Sequence, residues 1–141
     1  MPATFAITLK NQLSEVVKLE KILEEFGRNQ DISQEILSSM NLALEEILTN
    51  IISYGYQDTD EHDISLRLAI QGKEFLAEVE DDGTPFNPIE AQDPEITLPI
   101  EDRPIGGLGI YLTKKMMDGI DYERREGKNR LRLKKMIPTS H

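Results

Sequence analysis

The chain has 141 residues, 38% hydrophobic and 30% charged, with no cysteine and a formal net charge of −10. That length and composition fit one domain with a buried core rather than a disordered polymer. The acidic balance argues against nucleic acid or an anionic membrane held through the bulk surface, and the missing cysteines exclude disulfides, zinc–thiolate sites and a cysteine nucleophile.

The opening Met-Pro-Ala-Thr-Phe lacks the basic and apolar regions of a signal peptide. No apolar run approaches the roughly 18 residues that cross a bilayer. The expectation is a cytoplasmic protein with no membrane partner. Phe5, Ile7 and Leu9 alternate with Ala6 and Thr8 and predict a first strand. Leu13, Val16, Val17, Leu19, Ile22, Leu23 and Phe26 predict one helix, with Gly27 as its stop. A second helix is expected from Asp31, whose side chain can cap free amides, with Gln34 in the capping-box position. Its apolar positions, from Ile36 and Leu37 to Ile51 and Ile52, hold the helical period until Tyr54-Gly55.

Ile64, Leu66, Leu68 and Ile70 alternate with polar or small neighbours, Gln71-Gly72-Lys73 turns the chain, and Phe75, Ala77 and Val79 return, which predicts a hairpin ending at Asp81. The segment from Gly83 to Ile105 holds five of the seven prolines and little periodicity. A structureless loop of that length between two candidate ligand motifs reads as a lid, over about residues 84–106. A third helix is expected from about Leu108 to Asp118. A last hairpin follows, with Ile120 and Tyr122 on one strand, Gly127-Lys128-Asn129 as the turn, and Leu131 and Leu133 on the other. The order predicts an α+β, two-layer sandwich over residues 1–141, its sheet mixed but mostly antiparallel, with three helices on one face.

Three motifs fall in a fixed order along these elements. Glu46 and Asn50, in Glu46-Ile-Leu-Thr-Asn50, lie four apart on one face of the long helix, about 6 Å along its axis. Asn50 offers a neutral carbonyl oxygen, a suitable ligand for Mg²⁺, and Glu46 can orient or deprotonate an attacking hydroxyl or water. The same spacing also occurs on ordinary solvated helix faces. Glu45 points about 100° away and cannot share the task. Asp81, in Asp81-Asp-Gly83-Thr-Pro-Phe86, can accept from an exocyclic amine such as adenine N6, with Gly83 letting backbone approach the base. Alone, it is also an ordinary Asp-Gly turn. Gly106-Gly-Leu-Gly109 precedes a helix, where amides without side chains cradle phosphate oxygens. A flexible joint has the same composition. Arg103, the basic residue of an acidic lid, can reach a phosphate or stay solvated.

In this order the motifs resemble the GHKL ATPase superfamily, and more closely its RsbW/SpoIIAB-like branch of anti-sigma-factor serine kinases. Ala43-Leu-Glu-Glu46-Ile-Leu-Thr-Asn50-Ile-Ile-Ser-Tyr-Gly-Tyr56 resembles the N box of that branch. Asp81-Asp-Gly83-Thr-Pro-Phe86 resembles the first glycine box, and Gly106-Gly-Leu-Gly109-Ile-Tyr-Leu the second. The resemblance implies a Bergerat-type ATP-binding fold, Mg²⁺ chelated by Asn50, Glu46 as general base, adenine on Asp81 and Gly83, and phosphates held by Gly106, Gly107, Leu108 and Gly109 beneath the lid. It further implies ATP-dependent phosphorylation of a Ser or Thr on a STAS-domain anti-anti-sigma protein, sequestration of a sigma factor, and a homodimer. The chain departs from the pattern at Tyr54, where the family often has His, and at Gly127-Lys128-Asn129, which lacks the family's frequent Gly-Thr pair. Rival readings are an ATP-gated protein-binding module without transfer and an ATPase acting on water.

Overall fold

A computed structural model describes residues 3–88 and 107–138. The elements run β1 (Ala3–Lys10), α1 (Leu13–Val16), α2 (Leu19–Gln30), α3 (Gln34–Tyr54), β2 (Asp63–Gln71), β3 (Glu74–Asp81), α4 (Gly107–Met116), β4 (Gly119–Arg125) and β5 (Lys128–Met136). The five strands form one sheet in the order β1-β2-β3-β5-β4, and all four pairings are antiparallel. Alternation decides which face is buried. Ile64, Leu66 and Leu68 of β2, Phe75, Ala77 and Val79 of β3, and Leu131 and Leu133 of β5 turn toward the helices. They meet Leu23 and Phe26 of α2 and Met40, Leu44 and Leu48 of α3, with Phe26 and Phe75 stacked at 5.7 Å.

The opposite face is polar. There β3 and β5 carry opposite charges across the strands: Glu80 takes Arg130 at 2.8 Å, Glu78 takes Arg132 at 2.9 Å, and Glu74 takes Lys134 at 3.4 Å. Each such solvated cross-strand pair contributes only a few tenths of a kcal/mol, up to about 1. They fix register more than stability. Among the described residues no helix is long and apolar enough to cross a membrane.

The boundaries of the first two expected helices differ from the sequence expectation. The first helix is broken, because the Lys18 amide bonds back only three residues to the Glu15 carbonyl at 3.1 Å and tightens the turn. Val17 is thereby turned out, 79% exposed, and α2 restarts with Leu19 buried. Gly27 does not stop α2. It lies inside the helix, where a Cβ would sit 2.3 Å from Leu37 Cδ1, so its bareness lets α3 pack close. The stop is Asp31, in the left-handed region at φ 56°, ψ 44°. Asp31 therefore does not cap α3; Ser33 does, its hydroxyl accepting from the Ile36 amide at 3.3 Å.

Candidate functional site

The long helix α3 ends at Gly55, and the turn after β3 packs directly on that end. The Thr84 amide donates to the Gly55 carbonyl at 2.8 Å. A Cβ on Gly83 would lie 2.5 Å from the same oxygen. The first two motifs are thus brought together by backbone contact. The close approach of the end of α3 is by itself a reason for glycine at 83. Along α3, Glu46 and Asn50 are both half-buried while Glu45 is exposed, as their separation on the helix requires.

The Asn50 amide nitrogen is buried and has no hydrogen-bond partner among the described residues. An orphaned buried amide costs on the order of 1–3 kcal/mol until something bonds to it. The carboxamide is nearly symmetric in shape, so a half-turn presents its oxygen to the same space. That chemistry fits a hard divalent cation or a phosphate-linked water.

Asp81 closes β3 on the buried face, 5% exposed, in the row of Ala77 and Val79. Its Oδ1 accepts from the Gly83 amide at 2.9 Å and from Asn129 Nδ2 at 3.0 Å. Both of these bonds are made to Oδ1. Burial pushes the Asp81 carboxyl above its ordinary range and neighbouring Asp82 adds to this, while the Asn129 and Gly83 bonds and Arg124 pull it back. Asp82 points the other way and is exposed.

Asn129 is the residue sequence reasoning missed. It is 6% exposed and saturates both ends of its amide. Nδ2 donates to Asp81 and, at 2.9 Å, to the Thr84 carbonyl; Oδ1 accepts from the Tyr122 hydroxyl at 2.5 Å and from the Phe86 amide at 3.4 Å. Arg124 completes the frame, its guanidinium donating to the Gly83 carbonyl at 2.8 Å. The turn expected at Gly127-Lys128-Asn129 is instead Glu126-Gly127, with φ of 53° and 79°, so β5 begins at Lys128. Asn129 then shares parity with Leu131 and Leu133. That parity was the available signal.

α4 begins at Gly107, so Gly107, Leu108 and Gly109 form its first turn rather than a loop ahead of it, and the helix ends at Met116 instead of Asp118. α4 packs against α3. Arg103, Gly106 and the expected lid from residue 89 onward lie outside the described residues. Phe86 and Tyr54, on the turn and the last helical turn, are exposed by 52% and 59%.

The protein is a two-layer α+β sandwich, a sheet with helices on one face, with a buried carboxylate at the end of β3 beside the turn that meets the end of α3. Residues 9–135 match the family model described as the histidine kinase-like ATPase domain, and the chain belongs to that family. The similarity extends to a serine/threonine-protein kinase BtrW of Bordetella bronchiseptica, 29% identical over 119 residues, or 84% of this chain and 80% of that one. A serine-protein kinase RsbW of Listeria monocytogenes is 28% identical over 100 residues, 67% of this chain and 63% of its own. The chain thus spans less than two thirds of that RsbW relative. A crystal structure of RsbU and RsbW domains from Mycobacterium tuberculosis superposes with a TM-score of 0.69 at 15% identity, covering 96% of this chain and 32% of that one, and shows the shared fold.

Proposed function

We propose that residues 1–141 act as an ATP-dependent serine/threonine protein kinase and anti-sigma factor, phosphorylating a STAS-domain anti-anti-sigma protein and sequestering a sigma factor. The observation that carries this reading is the orphaned Asn50 amide on α3, the helix whose end meets the Asp81–Thr84 turn. Family membership and the serine-kinase names of the relatives support it. The reading includes a homodimer in the cytoplasm.

In this reading Asp81 Oδ2 accepts from the adenine amine, and the glycine amides at the start of α4, with Gly106 and Arg103, hold the phosphates. Asn50 would hold Mg²⁺, which when bound draws charge off the phosphate oxygens. Glu46 accepts the proton of the partner's Ser or Thr hydroxyl as its oxygen attacks the γ-phosphorus; the bond to the β-phosphate oxygen breaks and ADP leaves. Glu46 carries no large binding role, so Glu46→Ala keeps nucleotide affinity while transfer falls by about 10²-fold or more. The assay is label transfer from γ-labelled ATP to a STAS-domain protein. Full activity in that variant refutes the base assignment. A nucleotide-dependent complex without label supports the binding module instead, and phosphate release without any partner supports the water-directed ATPase.

A further inference from the structure

We propose that His62 is a positioning residue, a proton-operated clamp that holds the Asp81–Thr84 turn against the end of α3 and thereby sets nucleotide affinity. The inference rests on the nucleotide reading for its functional consequence, but its structural half stands alone.

His62 begins no motif and lies just ahead of β2. Its two ring nitrogens nevertheless face two carboxylates from different parts of the chain: Nε2 is 2.8 Å from Asp58 Oδ1, and Nδ1 is 3.2 Å from Asp82 Oδ1. The ring is stacked on Tyr56, with centroids 4.2 Å apart and planes at 15°. Its backbone is pinned as well, the His62 amide donating to Asn11 Oδ1 at 2.8 Å. Asp58 and Tyr56 follow the end of α3, and Asp82 sits beside Asp81. The imidazole therefore links the helix end to the base-binding turn, alongside the Gly55–Thr84 backbone bond.

Only the imidazolium can donate to both carboxylates; neutral imidazole has one N–H and turns a lone pair toward the other acid. The other charged groups around the ring do not relieve that conflict. On the helix-free face a polar cavity of about 550 Å³ includes His62, Lys10, Glu61, Asp63, Glu80 and Lys128, and reaches Asp81 and Asp82. Lys10 is committed to Asp63 at 2.6 Å and Lys128 to Glu80 at 3.5 Å. The Tyr56 hydroxyl, buried and without a well-formed hydrogen bond, is kept protonated by burial and by Asp81 and Asp82. The field at His62 is thus acidic. The Asp58 bond first, then Asp82, raises the imidazole above its ordinary 6.5, against some desolvation. A raised folded-state value means the clamp is fully closed below that ordinary value and opens as pH rises through the higher one.

The test has two parts. In ligand-free protein, imidazole NMR and amide exchange at Gly83 and Thr84 are followed from about pH 5.5 to 8.5. Protection should fall as His62 deprotonates; His62→Gln should show the low protection at every pH, and His62→Arg, permanently charged, should hold it high. Protection at Gly83 and Thr84 that is unchanged in His62→Gln, or that ignores the His62 titration, overturns the clamp. In the second part, ATP affinity should weaken by about two- to fivefold over the same pH window, with the dependence absent in both variants. ATP binding that is independent of pH in the wild type overturns the functional half. A wild type that binds no nucleotide at any pH refutes the nucleotide reading and the affinity claim, while the exchange data still decide the clamp.

Discussion

Replacing Asn129 by Ala removes a buried amide that bonds to four partners. One bond goes to the buried Asp81 carboxylate at 3.0 Å, and a bond to a charged acceptor contributes about 1.5–3 kcal/mol. The bonds to the Thr84 carbonyl at 2.9 Å and from Tyr122 at 2.5 Å are neutral, each about 1 kcal/mol net, and the one from Phe86 at 3.4 Å is long enough to neglect. Water entering the gap offsets part of the sum, which leaves an expected loss of about 2–4 kcal/mol. Urea unfolding of the ligand-free protein measures it directly, with the midpoint falling and the slope unchanged. A cycle with Asp81→Ala should give a coupling of about 1–2 kcal/mol, since Asn129→Ala then no longer strips a carboxylate. A variant within about 0.5 kcal/mol of wild type, or strict additivity in the cycle, would refute the claim that Asn129 fixes Asp81.

Two further substitutions follow from the same turn. Asp81 binds a proton more readily folded than unfolded, so the stability it contributes is present below its ordinary carboxyl value and is lost as pH rises through the raised one. Asp81→Asn keeps an oxygen for Gly83 and Asn129 but removes the titrating group, so the loss of stability with rising pH that Asp81 causes should disappear in the ligand-free variant while adenine recognition is abolished; a pH dependence of unfolding unchanged from the wild type would contradict this. Gly83→Ala forces a methyl to 2.5 Å from the Gly55 carbonyl, a backbone atom that cannot swing away. It should cost about 1–3 kcal/mol in thermal or urea unfolding and separate the turn from α3; a silent substitution would mean the turn is looser than described.

Much of this molecule was legible because burial is one-sided. A sheet covered on one face writes its parity into β2 and β3, and the expected hairpin is the observed one, with Asp81 at its end. The Glu46–Asn50 pair was legible for the same reason on a helix, where a spacing of four decides the face. The misreadings come from single backbone positions. Asp31 and Glu126 adopt left-handed φ without being glycine, which moved one helix end by four residues and shortened one turn. The second error hid Asn129, because a residue assigned to a turn has no face. His62 was hidden for another reason. Asp82 lies 20 residues away from it, and only the folded sheet brings the two together.

The central claim is tested most directly by calorimetric titration of the protein with ATP, with magnesium and then with EDTA, alongside Asn50→Ala and Asp81→Asn. The account predicts magnesium-dependent binding by the wild type, a loss of the magnesium dependence in Asn50→Ala, and no measurable binding in Asp81→Asn. Equal affinity in all three proteins, or binding indifferent to magnesium in the wild type, would contradict it.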